Sequence, residues 1–542
     1  MFDLLIKNAQ IVDGSGKPSY LGEIGICGDK IVKIADAISE NAKNVIDAKG
    51  VVVAPGFIDA HGHSDFTLFV NNKGESKIRQ GITTEVTGNC GFTAGPITKE
   101  YKDDLVYYLA NTIVLSDEEK SKWNWKTQNE FLEYTAKDGL SFNVVPLVGQ
   151  GMIRVGVMGF EDRMPDKNEL EKMKDMLRAE MKAGFFGMSM AFAYEPGNFM
   201  RDEESIEICK VLKEYDGIYT IHLKDQGKDL LPSVEQAINI GKKSGCRIQI
   251  SHLKAKYKAN CGKAGEAIKM IEKAKADGLE ISFDTYPYIA YGSGLIDLMP
   301  PWVKKDGPRA MCEKLQKSET RRKVISDMEN GIDGWETIMN SDGWEKCVQI
   351  ASLKTEENKA CEGKLISQIA TERGCSGYEA VVDLIISENA SVKCIWFAMD
   401  EDEVVSIMKH PDVMFGTDGR ACATYGKLSK GAVHPRYYGT YPRIFGKYVR
   451  EEKIMTLEEA VKKSTSAPAK HFGIKERGEI KEGYFADLVI FSPEKIAETN
   501  SFANPHSYPD GIDFVIVNGE IVVEKGEHTG KLPGKILRKN KN

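Results

Sequence analysis

Apolar and polar residues follow two different rhythms along this chain. Near both ends the period is two. "DLLIKNAQIVDGSG", "GEIGICGDKIVKIA" and "NVIDAKGVVVAPG" precede residue 57, and "GYFADLVIFS" and "FVIVNGEIVVEKGEHTG" follow residue 475. Such alternation predicts strands with one covered face. Asn518-Gly519, set between two apolar runs, predicts a tight hairpin. Neither group of strands buries its apolar face alone. The two ends are therefore expected to fold together as one small β-sandwich domain, residues 1–56 with 475–542.

Between them, near-continuous apolar runs alternate with amphipathic stretches. The runs are "GFIDAHGHSD", "GITTEVTGNCG", "FNVVPLVGQG", "GFFGMSMAFAY", "GIYTIHLKD", "RIQISHLKA", "LEISFDTYPY" and "DVMFGTDG". Segments such as "ELEKMKDMLRAEMKA", "DEESIEICKVLKEY" and "GEAIKMIEKAKAD" have the spacing of helices with one buried face. Buried strands alternating with helices predict a parallel sheet covered by helices. Eight such strands predict an α/β fold, a TIM-like (β/α)8 barrel over residues 57–474. About a hundred residues, roughly 294–392, break the rhythm and are too many for a bare loop. They are read as a subdomain inserted after the seventh strand. "KCIWFAMDED", from Lys393, is open to reading as a ninth strand.

Composition narrows the class. The 542 residues are 42% hydrophobic and 28% charged with a net charge of −7, so a large core is available and no basic surface for nucleic acid is indicated. The Lys-rich end "KLPGKILRKNKN" reads as a solvated tail. No apolar stretch is long enough to span a bilayer, and the first residues do not read as a signal peptide. Eleven scattered cysteines suggest reduced thiols and a cytoplasmic location.

The polar exceptions to the apolar runs carry the chemistry. His61 and His63 end the first run, Cys90 the second, His222 the fifth, His252 the sixth and Asp418 the eighth. In a barrel, the C-terminal strand ends meet at one mouth, where active sites are built. Imidazole, thiolate and carboxylate together form a zinc donor set. His61 and His63, two apart on a strand, share one face, and Asp65 would continue it. Singly, each has a plainer reading: a buried histidine bonded to backbone, an inert core thiol, a turn aspartate in "GTDG". Their repeated placement at the same end of successive strands favours a metal centre.

These motifs resemble the amidohydrolase superfamily, "VVAPGFIDAHGHSD" its first metal motif and "GTDG" its catalytic aspartate. "GITTEVTGNCGFT", "SHLKA", "DTYPY", "HPRYYGTYPRIFG" and "PGKILR" are similar to one branch, the N-acyl-D-amino-acid deacylases or D-aminoacylases. Many superfamily members use a carbamylated lysine on the fourth strand, but "GFFGMSMAFAY" has none. In this branch a second-strand cysteine serves, and Cys90 matches it. The resemblance implies a tight Zn2+ held by Cys90, His222 and His252, with His61, His63 and Asp418 framing a second, weaker site. Where the branch commonly has Gly-His-Gly after the third strand, this chain has "VGQG", and Gln150 cannot titrate. Extra residues, "RACATYGKLSKGAV", separate Asp418 from "HPR".

The implied reaction is hydrolysis of the amide of an N-acyl-D-amino acid, a small-molecule substrate. Metal-activated water would attack, and Asp418 would take its proton and deliver it to the leaving amine. Lys254, Tyr286, Ser293 and Arg436 match substrate-binding positions, and the Arg436 fork suits a carboxylate. Preference for the D configuration rests on the resemblance alone. Two other readings compete: a cyclic-amide hydrolase of hydantoinase or dihydroorotase type, disfavoured by "GNCG", and a non-catalytic scaffold, disfavoured by a complete donor set. Oligomeric state is not legible.

Overall fold

The eight apolar runs of the middle region become eight parallel strands, hydrogen-bonded in chain order, in a computed structural model describing residues 1–110, 118, 123–305, 307–333 and 335–539. They span Phe57–Asp59, Ile82–Thr87, Asn143–Gly149, Gly187–Ala191, Ile218–His222, Arg247–Ile250, Ile281–Thr285 and Val413–Phe415. The eighth strand closes on the first through Ala60 N–H to Phe415 O (3.1 Å), Asp418 N–H to His61 O (2.8 Å) and His63 N–H to Gly419 O (2.9 Å). The cylinder is filled, not open. Ile58, Val86, Leu147, Ile218 and Met414 meet inside it, and Phe472, ending helix Ser466–Phe472, and Ile474 just after it plug its N-terminal end. With that end sealed by apolar side chains, the polar strand ends face the other.

Helices cover the outside as the spacing predicts: Lys167–Lys182, Asp202–Glu214, Leu230–Ser244 and Lys263–Ala276 connect consecutive strands. The first begins at Asp166, whose carboxylate accepts from the N–H groups of Asn168 and Glu169, satisfying two donors the helix leaves open. Between the seventh and eighth strands, Ala290–Gly294, Val348–Ser352 and Lys393–Phe397 form a separate antiparallel sheet with its own apolar core, including Leu298, Val348, Ile350 and Trp396. "KCIWF" thus belongs to the insertion and is no ninth barrel strand.

The chain ends meet in one nine-stranded sheet. Its seam is Val52–Pro55, paired antiparallel with Leu488–Phe491. Leu4, Ile24 and Ile31 from the N-terminal strands share a core with Leu488, Ile490 and Ile516. Asn518 and Gly519 both adopt positive φ (49° and 80°) in the predicted hairpin, the backbone that two-residue turns of this hand require. After Pro55 only Gly56 intervenes before the first barrel strand. A Cβ there would lie 2.2 Å from Thr83 Cγ2, so the tight passage from sheet to barrel needs glycine.

The Lys-rich tail corrects an expectation. Residues 532–539 are not solvated but strapped across the barrel; residues 540–542 lie outside the described residues. Gly534 N–H bonds to Leu140 O (2.7 Å), Val144 N–H to Lys535 O (2.9 Å) and Leu537 N–H to Val144 O (2.8 Å). The Lys539 backbone N–H reaches Gly184 O (2.8 Å), and the Arg538 guanidinium lies 5.5 Å from the Phe185 ring centre. At about 0.5–1.5 kcal/mol per net hydrogen bond, plus the covered apolar surface, the strap contributes several kcal/mol. Deleting residues 532–542 is expected to lower the melting temperature by about 5 °C or more, measured by circular dichroism. An unchanged melting temperature would show that the tail contributes nothing to stability.

Candidate metal centre

The six candidate side chains converge at the sealed barrel's other end. Cys90 Sγ lies 3.5 Å from His61 Nε2, 3.7 Å from His222 Nδ1 and 3.7 Å from His252 Nε2. His63 Nε2 is 3.1 Å and His61 Nε2 3.7 Å from Asp418 Oδ1. Three overlapping triads result: His61–His63–Cys90, Cys90–His222–His252 and His61–His252–Asp418, each with its donor atoms within 4.8 Å of one another. Tetrahedral zinc, with Zn–S about 2.3 Å and Zn–N about 2.0–2.1 Å, sets sulfur and nitrogen about 3.6 Å apart. The sulfur–nitrogen spacings match. Cys90 belongs to two triads, so the thiolate links two adjacent positions, whereas the resemblance alone gave the second position to His61, His63 and Asp418.

Local sequence builds this geometry. Cys90 (φ 55°), His252 (φ 37°) and Asp418 (φ 44°) all sit in the left-handed backbone region, a cost of about 1–3 kcal/mol each that turns a side chain off the strand direction. The turn "GNCG" is braced from several sides. Asn89 Nδ2 donates to Gly62 O (3.1 Å) and Val86 O (2.9 Å), and Ser189 Oγ accepts from Gly91 N–H (2.9 Å). Ser189 belongs to the fourth strand, which has no lysine and instead supports the turn carrying the cysteine. The glycine of His61-Gly62-His63 is also required: a Cβ on Gly62 would lie 1.9 Å from Glu85 Oε1.

Burial and charge set the protonation states. Burial pushes the Cys90 thiol up, but His61, His222 and His252 together hold it well below the ordinary thiol value, so the thiolate is the resident form. Burial, with Lys254 beside it, keeps His252 well below the usual histidine value, and burial likewise lowers His222. A thiolate beside two neutral imidazoles is the protonation state a zinc ion takes. For Asp418, burial opposes ionisation, but the Arg436 charge and the hydrogen bond with His63 hold it well below the carboxylate range. His63, for which burial is outweighed by Asp418 and Cys90, rises to about 9; at 27% side-chain exposure it is the most open of the four histidines around the thiolate.

Supporting contacts come from residues that strand-end reasoning passed over. Asp284, near the end of the seventh strand, has Oδ1 3.6 Å from His61 Nδ1 and accepts from His252 N–H (2.9 Å). Gln226 Nε2 lies 3.2 Å from His252 Nδ1. Such partners fix imidazole orientation at metal sites. Asp284 is the last residue but one of its strand in "ISFDTYPY", one past the residue paired with Ile250, so the strand-end rule was able to find it. Asp65 does not continue the histidine face; it opens the short helix Asp65–Val70, and burial lifts it to about 6. Gln150 begins the helix after the third strand and accepts from Tyr219 OH at 2.5 Å.

Beside the donors lies a cluster of buried cationic and hydroxyl groups. Arg436 Nη1 is 3.0 Å from Asp418 Oδ2, yet neither Nη1 nor Nε finds an aligned acceptor, and Tyr286 OH has no partner. The guanidinium sits 4.6 Å from the Tyr286 ring centre and Lys254 Nζ 5.1 Å from it. Burial holds Lys254 well below the usual lysine value, with Asp418 opposing. Ser293 lies on insertion strand Ala290–Gly294, its hydroxyl donating to Asp297. A Cβ on its neighbour Gly292 would come 3.8 Å from Arg436 Nη2, so this strand borders the guanidinium.

The chain is similar to known proteins over nearly its whole length. The Amidohydrolase family model matches residues 44–134 and 377–523. D-aminoacylase of Alcaligenes xylosoxydans xylosoxydans is 32% identical over 99% of this chain and 97% of its own length. N-acyl-D-aspartate deacylase of the same organism is 30% identical, covering 99% and 95%. The crystal structure of N-acyl-D-glutamate deacylase from Bordetella bronchiseptica, complexed with zinc and a phosphonate inhibitor, superposes with a TM-score of 0.82 at 29% identity, covering 99% of each chain.

Cys90→Ala is expected to abolish tight zinc binding, measured as metal per chain after dialysis. Retention of a full equivalent would remove Cys90 from the centre.

Proposed function

Because the chain belongs to the N-acyl-D-amino-acid deacylase family, the D-aminoacylase branch of the amidohydrolases, we propose that it hydrolyses the amide bond of N-acyl-D-amino acids in a zinc-dependent reaction. One observation carries the reading: the Cys90–His222–His252 donor set, at tetrahedral-zinc spacing, lies beside buried Arg436 and Tyr286 donors that lack acceptors. The first feature suits amide hydrolysis and the second suits a substrate with a free carboxylate.

When bound, zinc supplies Lewis acidity and water activated near neutral pH. Asp418 Oδ1, beside His63 and His61, takes the proton of the attacking water. The same carboxyl then returns it to the amide nitrogen, which leaves as a free amine only once protonated. Arg436 offers Nε and Nη1 to the substrate carboxylate, with Tyr286 OH and Lys254 Nζ completing the clamp. Ser293 completes the substrate-binding set from the insertion side. His61, His63 and Cys90 frame the second, weaker metal position. The D configuration of the substrate rests on the relatives.

All eleven cysteines are unpaired, and among the described residues no helix is long and apolar enough to cross a membrane. The free thiols support a reducing cytoplasm as the place of the reaction.

The zinc-loaded protein is expected to release free amine from N-acetyl-D-amino acids and to leave hydantoins and dihydroorotate intact. Turnover of the cyclic amides alone would contradict the reading. Asp418→Asn should keep its zinc and lose at least about 10³-fold in kcat, the scale of general acid–base catalysis; a near-normal rate would end that assignment. Arg436→Ala should raise KM about 10–100-fold, the worth of a charged hydrogen bond. An unchanged KM would take Arg436 out of the clamp.

A further inference from the structure

A lysine that nothing above uses lies buried beneath the centre. Lys77, on the short helix Glu75–Ile78, has a side chain with no solvent exposure. Its ammonium donates to Asp59 Oδ2 (2.7 Å), Thr417 Oγ1 (2.6 Å) and Gly419 O (2.8 Å), using all three protons. Glu85 Oε1 approaches at 3.5 Å. A buried ion pair is seldom more stabilising than apolar side chains of the same volume. Its value here lies in what its partners hold.

Two of the three acceptors, Thr417 and Gly419, flank Asp418 in sequence, and the third, Asp59, precedes His61 by two residues. Asp59 Oδ1 accepts from Thr417 N–H (2.9 Å) and His61 N–H (3.2 Å), and Asp59 Oδ2 accepts from Thr417 Oγ1 (2.7 Å). Gly419 N–H donates to Thr417 Oγ1 (3.1 Å), and Gly419 O accepts from His63 N–H (2.9 Å). One ammonium thus clamps the first strand's histidines to the eighth strand's Asp418, across the seam where the barrel closes. Asp418 needs that restraint, since its backbone stays at φ 44° only while its neighbours are fixed. Cys90, His222 and His252 come from the second, fifth and sixth strands and make no contact with Lys77 among those described.

We propose that Lys77 is a positioning residue that fixes Asp418, together with His61 and His63, relative to the Cys90–His222–His252 triad. The inference rests on Asp418 as proton carrier. It separates two things that a purely structural role would move together: the chemical step and the weaker metal position depend on Lys77, and the tight zinc and substrate binding do not.

The test compares Lys77→Met with Asp59→Asn/Lys77→Met, in which the charge and its main counter-charge leave together. Both are expected to keep one tightly held zinc and a KM within about threefold of the parent protein. Their kcat should fall about 100-fold, the cost of misplacing a reacting group by about an ångström. In cobalt titrations followed by absorbance, the second ion should bind at least about tenfold more weakly. If Lys77→Met alone fails to fold, the double variant decides. A double variant that turns over normally, or binds the second cobalt ion normally, overturns the proposal. So does one that loses the tight zinc or does not fold, because the network then only holds the barrel together. Should the parent protein hydrolyse no N-acyl-D-amino acid, the functional reading falls, while the cobalt titration still judges Lys77.

Discussion

A thiolate buried within 4 Å of three imidazoles, and a carboxylate within 4 Å of two, constrain everything around them at the barrel mouth. In a low-dielectric interior such groups must be paired, and a divalent cation pairs them most completely. The fold provides rigidity for this purpose. Apolar side chains seal one end of the cylinder, and the polar strand ends converge at the other. Three of the groups stand on left-handed backbone held by neighbours such as Asn89, Ser189 and Thr417. The strain is local, and the scaffold that tolerates it is large.

The charge pattern divides the mouth in two. On the donor side, sulfur and imidazole nitrogens face each other at metal-binding distances. On the other side stand Arg436 and Tyr286 with unspent hydrogen-bonding capacity, with Lys254 beside them, and Asp418 lies between, touching both His63 and Arg436. A substrate with a carboxylate near its amide would fit that division, the carboxylate meeting the open donors of Arg436 and Tyr286 while the amide reaches the metal-binding side. The insertion contributes the strand with Gly292 and Ser293 along the Arg436 side, so the segment that interrupts the barrel rhythm also borders the buried guanidinium.

Much of this was legible in the sequence because two periodicities are hard to disguise. Period two at the ends and apolar runs spaced by helices in the middle indicated the two-part fold, and histidine, cysteine and aspartate at five of the eight run ends indicated which side chains would converge. Lys77 was not legible. In "NNKGESKIRQ" it looks like any exposed lysine, and only the closure of strand eight on strand one, hundreds of residues away, buries it. The tail was misread through its lysines, although Leu532, Ile536 and Leu537 carry the apolar signal that docks it. Long-range pairing, not local propensity, decides such cases.

Zinc K-edge X-ray absorption on the protein loaded with one equivalent of zinc tests the central claim most directly, because it reads the donor atoms themselves. Zinc held by Cys90, His222 and His252 should show one sulfur at about 2.3 Å and two or three imidazole nitrogens at about 2.0–2.1 Å. A first shell of nitrogen and oxygen alone would contradict it, and would leave the left-handed turn at Cys90 without a purpose.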